Sequence, residues 1–180
     1  MERPSEADRL QALDQYGVLD TLPEQAFDRI TALAADMFDA PIALVSLIDE
    51  TRQWFKSRHG LDVESTPRTW AFCAHAIDQA PGSTFVVEDA SQDIRFAANP
   101  LVTGGPKIQF YAGAVLTTAD GHNLGTLCVI DRKPRPSPTP KDLDRLTTLA
   151  QIVVDGLELR RANRQAEEKR QLLDMAERMA

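Results

Sequence analysis

The stretch FYAGAVLTTADGHNLGTLCVID, residues 110–131, indicates the fold class of this chain. In residues 110–117 the side chains alternate between two sets, as they do on the two faces of a β-strand. Asp120-Gly121 is a hairpin turn signal, and the apolar run 124–130 is typical of a returning strand. The stretch therefore predicts an antiparallel pair of strands.

Three more strands are predicted outward from this hairpin. The continuous apolar run at 42–48 is bounded by breakers and is typical of a central strand. Residues 53–58 are predicted to pair with it through a polar turn, and 84–87 form a short strand. Regular patterning is lost over 89–109, and a long irregular segment in a compact domain is often a binding loop.

Capping boxes mark three predicted helix starts, since a hydroxyl and a carboxylate three residues later satisfy free N–H groups there. They are SEAD at 5–8, TLPE at 21–24 and TPKD at 139–142. A short helix is also predicted over 72–79. Helices at both ends of an antiparallel sheet indicate an α+β fold.

The last predicted helix carries two apolar seams. If it is helical to Ala180 it is about 60 Å long, more than the domain needs. The first seam can face the sheet or a twin helix and comprises Leu143, Leu146, Ala150, Val153 and Leu157. The second is shifted in phase and comprises Leu159, Ala162, Ala166, Lys169, Leu173, Ala176 and Ala180. So polar a helix needs packing, which favours a parallel homodimer; the alternative is that residues past Arg160 fray.

Composition argues against several classes of function. A net charge of −7 and the lack of a basic stripe disfavour nucleic acid as a partner. Neither a run of 18 apolar residues nor a signal-peptide apolar region is found, so no membrane partner is expected. The two cysteines, Cys73 and Cys128, form no disulfide framework and suit a reducing cytoplasm, where we expect the chain to reside.

Aromatic residues concentrate around a predicted pocket, where they either stack on a planar ligand or fill space. The candidate pocket residues are Trp54, Phe55, Ser57, Trp70, Phe72, Cys73, His75, Arg95, Phe96, Asn99, Phe110, Tyr111 and Gly113. Arg95 and Asn99 could hold an anionic or polar ligand, or stabilise the loop. His75 is either a pH-sensitive pocket group or a satisfied internal histidine. Cys73 and His75 are two residues, fewer than the three or four ligands that a metal site needs, so no metal site is predicted. No catalytic residue is predicted either.

Seven local strings, in order, resemble those of GAF domains at the N-terminus of bacterial sensor histidine kinases and diguanylate cyclases. They are LDTLPEQAFD at 19–28, WFKS at 54–57, FCAHAI at 72–77, RF at 95–96, NP at 99–100, FYAG at 110–113 and LGTLCVID at 124–131. The resemblance covers about 10–159. It implies a GAF fold: a central antiparallel sheet with terminal helices on one face, a loop-covered pocket on the other, and a long C-terminal signalling helix.

This resemblance implies a sensory, regulatory module rather than an enzyme. Residues 1–160 would form the GAF domain, and 161–180 a helical linker to a downstream domain, since 172–180 resembles the helix that leads into a PAS domain. A small ligand or a partner would shift the loop region, and a dimeric helix would relay the shift. A ligand-free dimerisation domain is the alternative within this class.

The resemblance leaves the cofactor unknown, with none expected to be covalent. Free methionine sulfoxide reductases share the fold and use pocket cysteines, but this chain lacks a third cysteine. In GAF domains that bind cyclic nucleotides an Asp-Glu pair follows the positions that Lys107 and Phe110 match, and it is missing here. Cys73-Ala74-His75 is spaced and placed differently from the bilin attachment site, and haem ligation by His75 or His59 is disfavoured. Trp70-Ala71 stands where relatives commonly carry a serine.

Overall fold

The computed structural model describes residues 2–180. Its strands are β1 (Ile42–Ile48), β2 (Arg52–His59), β3 (Ser65–Pro67), β4 (Thr84–Val87), β5 (Phe110–Thr117) and β6 (Asn123–Asp131). Its helices are α1 (Glu6–Gln15), α2 (Gln25–Met37), α3 (Phe72–Ala76), α4 (Pro100–Thr103) and α5 (Pro140–Met179). The strands form one antiparallel sheet of order β3-β2-β1-β6-β5-β4. The predicted α+β fold with an antiparallel sheet is confirmed.

The hairpin of β5 and β6 lies inside the sheet, because β6 also pairs with β1. Its turn contains Gly121, whose φ of +86° suits the predicted Asp-Gly turn. On β6, a Cβ added at Gly125 would come within 1.8 Å of the Ser46 carbonyl oxygen of β1. The close approach of these two central strands therefore requires a glycine.

The two faces of the sheet carry different layers. α1, α2 and α5 cover one face, called here the helix face, and share a core with it. The other face, called the pocket face, is covered by α3, α4 and irregular segments within 61–109. On β5, Phe110 belongs to the core of the helix face and Tyr111 to that of the pocket face, which confirms the predicted alternation.

At two of the three predicted capping boxes the hydroxyl caps its helix, and among the described residues the carboxylate forms no return bond to the cap residue's amide. Ser5 accepts a hydrogen bond from the Asp8 amide, and Thr139 accepts one from the Asp142 amide. The box at 21–24 is wrong: α2 begins at Gln25, after Glu24, and no side chain caps it. The Thr21 hydroxyl instead donates to the Val18 carbonyl and accepts from the Lys56 ammonium. The Glu24 carboxylate forms ion pairs with Lys56 and Arg160.

α5 is one continuous helix of 40 residues, about 60 Å long. The first apolar seam faces the sheet, with Leu146, Ala150, Val153 and Leu157 buried and Leu143 partly buried. Of the two partners left open for this seam, the sheet is therefore correct, and these residues are not free to pair with a twin helix. The second seam is exposed, including Leu159, Ala162, Ala166, Lys169, Leu173, Ala176 and Ala180.

Sequence patterning missed two elements, the edge strand β3 and the one-turn helix α4. Both are short and lie in segments without apolar periodicity. Across residues 2–180, no helix has the length and apolar character that crossing a bilayer requires.

Candidate functional site

A cavity of about 430 Å³ lies on the pocket face of the sheet, and we call it the apolar pocket. β1, β2, β5 and β6 form its floor, and β3, α3, α4 and the irregular segments between them form its walls. The floor residues are Ile42, Leu44, Gln53, Phe55, Tyr111, Cys128 and Ile130. The walls come from Leu61, Asp62, Val63, Ser65, Thr66, Pro67, Trp70, Phe72, Cys73, Leu101, Gly105, Pro106 and Ile108. The volume and the apolar lining are those of a small-molecule site.

The thiol, hydroxyl and amide groups at the pocket are neutral and bond to one another in two sets. The Cys73 sulfur lies 3.0 Å from the Tyr111 hydroxyl and 3.0 Å from the Thr126 hydroxyl, which are 3.0 Å apart. Nearby, Ser46 donates to the Gln53 side-chain oxygen at 2.8 Å. Gln53 in turn donates to the Thr66 hydroxyl at 2.9 Å.

Charged side chains are nearly absent from this lining. Asp62 is the single ionisable carboxylate among the described residues that line the pocket, and no Lys or Arg of residues 2–180 lines it. Burial of an anion without a cation or a set of donors is costly. The pocket therefore disfavours phosphate-bearing ligands.

Burial and mutual hydrogen bonding perturb the thiols and the phenol of this site. Burial opposes ionisation of Cys73, but hydrogen bonds from Cys128, Ser46, Thr126 and Tyr111 outweigh it and lower its pKa to about 7. Burial raises the pKa of Cys128 well above its usual range, and the adjacent Cys73 adds to this shift. The pKa of Tyr111 is also raised well above 10, by burial and by both thiols.

Five predicted pocket residues meet at the apolar pocket: Phe55, Trp70, Phe72, Cys73 and Tyr111. Phe96 lies behind this wall, with its ring stacked on Phe72 at a centroid distance of 4.1 Å. Gly113 lies beside the pocket, where the Tyr111 hydroxyl folds over it and would be 2.5 Å from an added Cβ.

The assignment of Trp54, Ser57 and Phe110 to the pocket is wrong. Trp54 and Phe110 belong to the core of the helix face, and Ser57 bonds to Asp28 and Thr31 of α2. Adjacent residues of a strand point to opposite faces, so Trp54 cannot share the pocket with Phe55, nor Phe110 with Tyr111.

Three polar candidates serve the covering loops instead of the pocket. Arg95 pairs with Asp93 at 2.6 Å and lies over the rings of Phe85 and Phe96. Asn99 caps α4 and donates to the Trp70 carbonyl at 3.0 Å. His75 lines a separate surface depression, and its ring packs edge-on against Phe96 with the ring centroids 4.9 Å apart.

Several lining residues were not predicted, among them Ile42, Leu44, Gln53, Leu101 and Ile108. β1 is buried along its whole length, so its apolar run carries no sign of which residues face a cavity. Cys128, in the apolar run 124–130, is buried and also forms part of the pocket floor.

A second cluster lies on the helix face, where α5 leaves the sheet. We call it the exit cluster, and it comprises Tyr16, Glu24, Lys56, Glu158 and Arg160. Glu24 pairs with Lys56, whose side chain is 0% exposed, and with Arg160 at 2.7 Å. Tyr16 donates to Glu158, and burial together with this carboxylate raises the pKa of Tyr16 to about 12. The cluster ties α5 to β2 and to the start of α2.

Within residues 2–180, the fold brings together no group of three or more His, Cys, Asp and Glu side chains that could hold a metal ion.

Comparisons with known proteins agree with this geometry. The family model described as the GAF domain matches residues 22–155. A cyclic di-GMP phosphodiesterase of Pseudomonas aeruginosa is 47% identical over 142 residues, which are 79% of this chain and 24% of the relative. The chain thus spans about a quarter of the length of this curated relative.

Two solved structures show the same fold. The GAF domain of an Acinetobacter phosphoenolpyruvate-protein phosphotransferase has a TM-score of 0.64 at 18% identity, covering 88% of this chain and 97% of that one. The free methionine-R-sulfoxide reductase of Neisseria meningitidis has a TM-score of 0.60 at 18% identity, covering 92% of this chain and 98% of that one.

Proposed function

Because this chain belongs to the GAF domain family, we propose that it is a sensory module that binds a small ligand and regulates a neighbouring domain of a bacterial signalling protein. One observation carries the proposal. On β2, Phe55 lines the apolar pocket, and the next residue, Lys56, joins the exit cluster that holds α5. A ligand that displaces β2 therefore acts on both faces of the sheet.

The proposed ligand is an uncharged, largely apolar molecule with a planar ring. Phe55, Trp70 and Phe72 supply aromatic surface, and the thiols and hydroxyls supply neutral polar partners. The phosphates of a cyclic dinucleotide would meet no Lys or Arg in the described lining. The substrate named for the Pseudomonas aeruginosa relative is therefore not the proposed pocket ligand.

Native mass spectrometry of the purified chain tests this binding. We expect a non-covalent added mass that disappears under denaturing conditions, or a saturable shift when uncharged aromatic compounds are titrated. Ile108→Trp should abolish binding, because the larger ring fills the pocket. Leu22→Trp is the matched control, since Leu22 is 83% exposed and outside the pocket lining.

If the wild type carries no added mass and no compound binds saturably, the alternative within the family holds, a ligand-free dimerisation domain. If Leu22→Trp loses binding as much as Ile108→Trp does, the apolar pocket is not the binding site.

The relay to α5 has a separate test. We expect ligand binding to change amide hydrogen exchange in residues 157–164, which lie at the exit cluster. An unchanged exchange pattern on α5 with a fully occupied pocket would contradict the relay and leave the binding intact.

The proposed relay element is a parallel homodimer of α5. The second seam stays exposed from Leu159 to Leu173, and Ile152, seven residues before Leu159, is 46% exposed on the same side. This extends the seam back onto the domain. A lone helix of this length with so little packing would be marginal, so a second copy is the partner that fits it.

Sedimentation equilibrium tests the dimer. Leu173→Glu should raise the dimer dissociation constant about tenfold or more, because it places a charge in the seam. Leu22→Glu, at an exposed apolar position outside the seam, should leave it unchanged. A wild type that stays monomeric at high concentration would refute this part of the proposal.

The regulated domain is proposed to be a histidine kinase or a cyclic di-GMP enzyme. The family resemblance favours a kinase or a diguanylate cyclase, and the 47% identical relative is named as a phosphodiesterase. The domain itself is proposed to be non-catalytic, without a covalent cofactor and without nucleic-acid or membrane partners. Thiol-dependent reduction of free methionine sulfoxide by the purified chain would contradict this and favour the enzyme alternative.

A further inference from the structure

Two thiols meet at the floor of the apolar pocket. Cys73 projects from α3 and Cys128 from β6, and both line the same cavity while being almost fully buried. The Cys73 sulfur contacts the hydroxyl of Thr126, which shares the pocket-facing side of β6 with Cys128, and both cysteines are free thiols. The cavity is the route by which a small solute would approach these buried thiols.

The polar groups around Cys73 favour its reactive form. Tyr111 and Thr126 place hydroxyls 3.0 Å from its sulfur, where they can donate to a thiolate. Their O–H groups stabilise negative charge on that sulfur, and together with Cys128 they lower its pKa to about 7 against the opposing effect of burial. At Cys128, burial and the adjacent Cys73 outweigh the same two hydroxyls and raise the pKa, so the two thiols are unequal.

We propose that Cys73 and Cys128 are a peroxide-oxidised dithiol, which closes to a disulfide across the pocket floor. The oxidant is hydrogen peroxide, which is small enough to enter the cavity. The proposal goes beyond the sensory function above, because it needs neither the apolar ligand nor the dimer.

The reaction balances in two steps. The Cys73 thiolate attacks one peroxide oxygen, the O–O bond breaks, and the departing hydroxide takes up the thiol proton to leave as water. The Cys128 sulfur then attacks the Cys73 sulfur of the resulting sulfenic acid, and the S–S bond forms as the S–O bond breaks. The proton of the Cys128 thiol goes to the departing hydroxide, which leaves as a second water. The two thiols lose two electrons, and one peroxide becomes two waters.

The disulfide would couple oxidation to the shape of the site. It joins α3, a wall of the pocket, to β6, a central strand of the sheet. It also removes the S–H group that Cys73 shares with Tyr111 and Thr126. Oxidation therefore alters the same floor on which the proposed ligand would rest.

Thiol mapping of the reduced wild-type chain is the decisive experiment, and it requires no variant. After treatment with hydrogen peroxide, the protein is denatured, alkylated and weighed. We expect both thiols to become unreactive together, the mass to fall by about 2 Da, and one digest fragment to join Cys73 to Cys128. Dithiothreitol should restore both thiols.

Any other product overturns the proposal. Two alkylated thiols after exposure that oxidises a model thiol would show that peroxide does not reach them. Cys73 oxidised to sulfinic acid without a cross-linked fragment would show that Cys128 does not resolve it.

Two variants test the roles of the groups. In Cys128→Ala, Cys73 should stop as a sulfenic acid that a dimedone probe captures. Thr126→Val removes one hydroxyl from the Cys73 sulfur and should slow its oxidation about fivefold, while Thr148→Val, on the exposed part of α5, should not change the rate. Equal rates in both threonine variants would refute activation by the cluster.

Discussion

Arg160 of α5 and Glu24, the residue before α2, form an ion pair of 2.7 Å at the point where α5 leaves the sheet. The same carboxylate pairs with Lys56 of β2. Because Lys56 is adjacent to Phe55 of the apolar pocket, one carboxylate joins the strand under the pocket to the helix that extends from the domain.

Replacing Glu24 with Gln should destabilise the domain by about 1–3 kcal/mol, because it leaves the buried Lys56 without its anion. Urea unfolding measures the loss. Lys56→Met should rescue part of it in the double variant, since the orphaned charge is then gone. If the double variant loses as much stability as the two single variants together, the two substitutions are additive. That result would contradict the coupling of the two charges.

Stability at low pH should depend on Glu6. Hydrogen bonds from Arg9, opposed by burial and helped by Arg68, lower the pKa of Glu6 from 4.5 to about 2. The stabilisation is therefore fully present above pH 4.5 and is lost as the pH falls towards 2.

We expect Glu6→Gln to flatten the acid dependence of the urea midpoint in this window. Glu177→Gln, for which residues 2–180 provide no ion pair, is the control. Parallel curves for wild type and Glu6→Gln between pH 2 and pH 4.5 would refute this assignment.

Two strand glycines should differ in their tolerance of alanine. At Gly125 the new Cβ would lie 1.8 Å from the Ser46 carbonyl oxygen, so the backbone of β1 must move, at about 3 kcal/mol or more. At Gly113 it would meet the Tyr111 hydroxyl at 2.5 Å, and a side chain can rotate away at lower cost.

Thermal unfolding ranks these variants, with Gly105→Ala as the control because nothing lies within 4 Å of its added Cβ. Gly113→Ala should also move Tyr111 away from Cys73, and a changed reactivity of that thiol would report it. Equal destabilisation at Gly113 and Gly125 would contradict the distinction between backbone and side-chain contact.

Truncating leucines on α5 should separate the two seams. Leu157 is 1% exposed against the sheet, so Leu157→Ala should cost about 2–5 kcal/mol of domain stability. Leu173 is 57% exposed, so Leu173→Ala should change monomer stability by no more than about 0.5 kcal/mol. Urea unfolding at low protein concentration measures both, and a large cost at Leu173 there would mean that α5 packs on its own domain.

Local pattern was sufficient for the elements whose signal is local. Three examples are the apolar run at Ile42–Ile48, the alternation at Phe110–Thr117 and the threonine cap of α5. Each of these signals is complete within a few neighbouring residues. The cap predicted at Thr21 fails, because Lys56, distant in sequence, takes its hydroxyl. Pocket residues were predicted in part, because adjacent strand residues point to opposite faces and only Phe55 of the pair Trp54/Phe55 and Tyr111 of the pair Phe110/Tyr111 reach the pocket.

By itself, the sequence determined the order of all elements except β3 and α4, the antiparallel α+β architecture, the family and the two seams of α5. Only the tertiary structure decided that the first seam packs on the sheet, that Cys73 and Cys128 line one cavity, and that Glu24 bridges Lys56 and Arg160. The reason is physical. Periodicity reports which face of an element is apolar, but the partner of a buried group depends on which distant strands and helices the fold brings beside it.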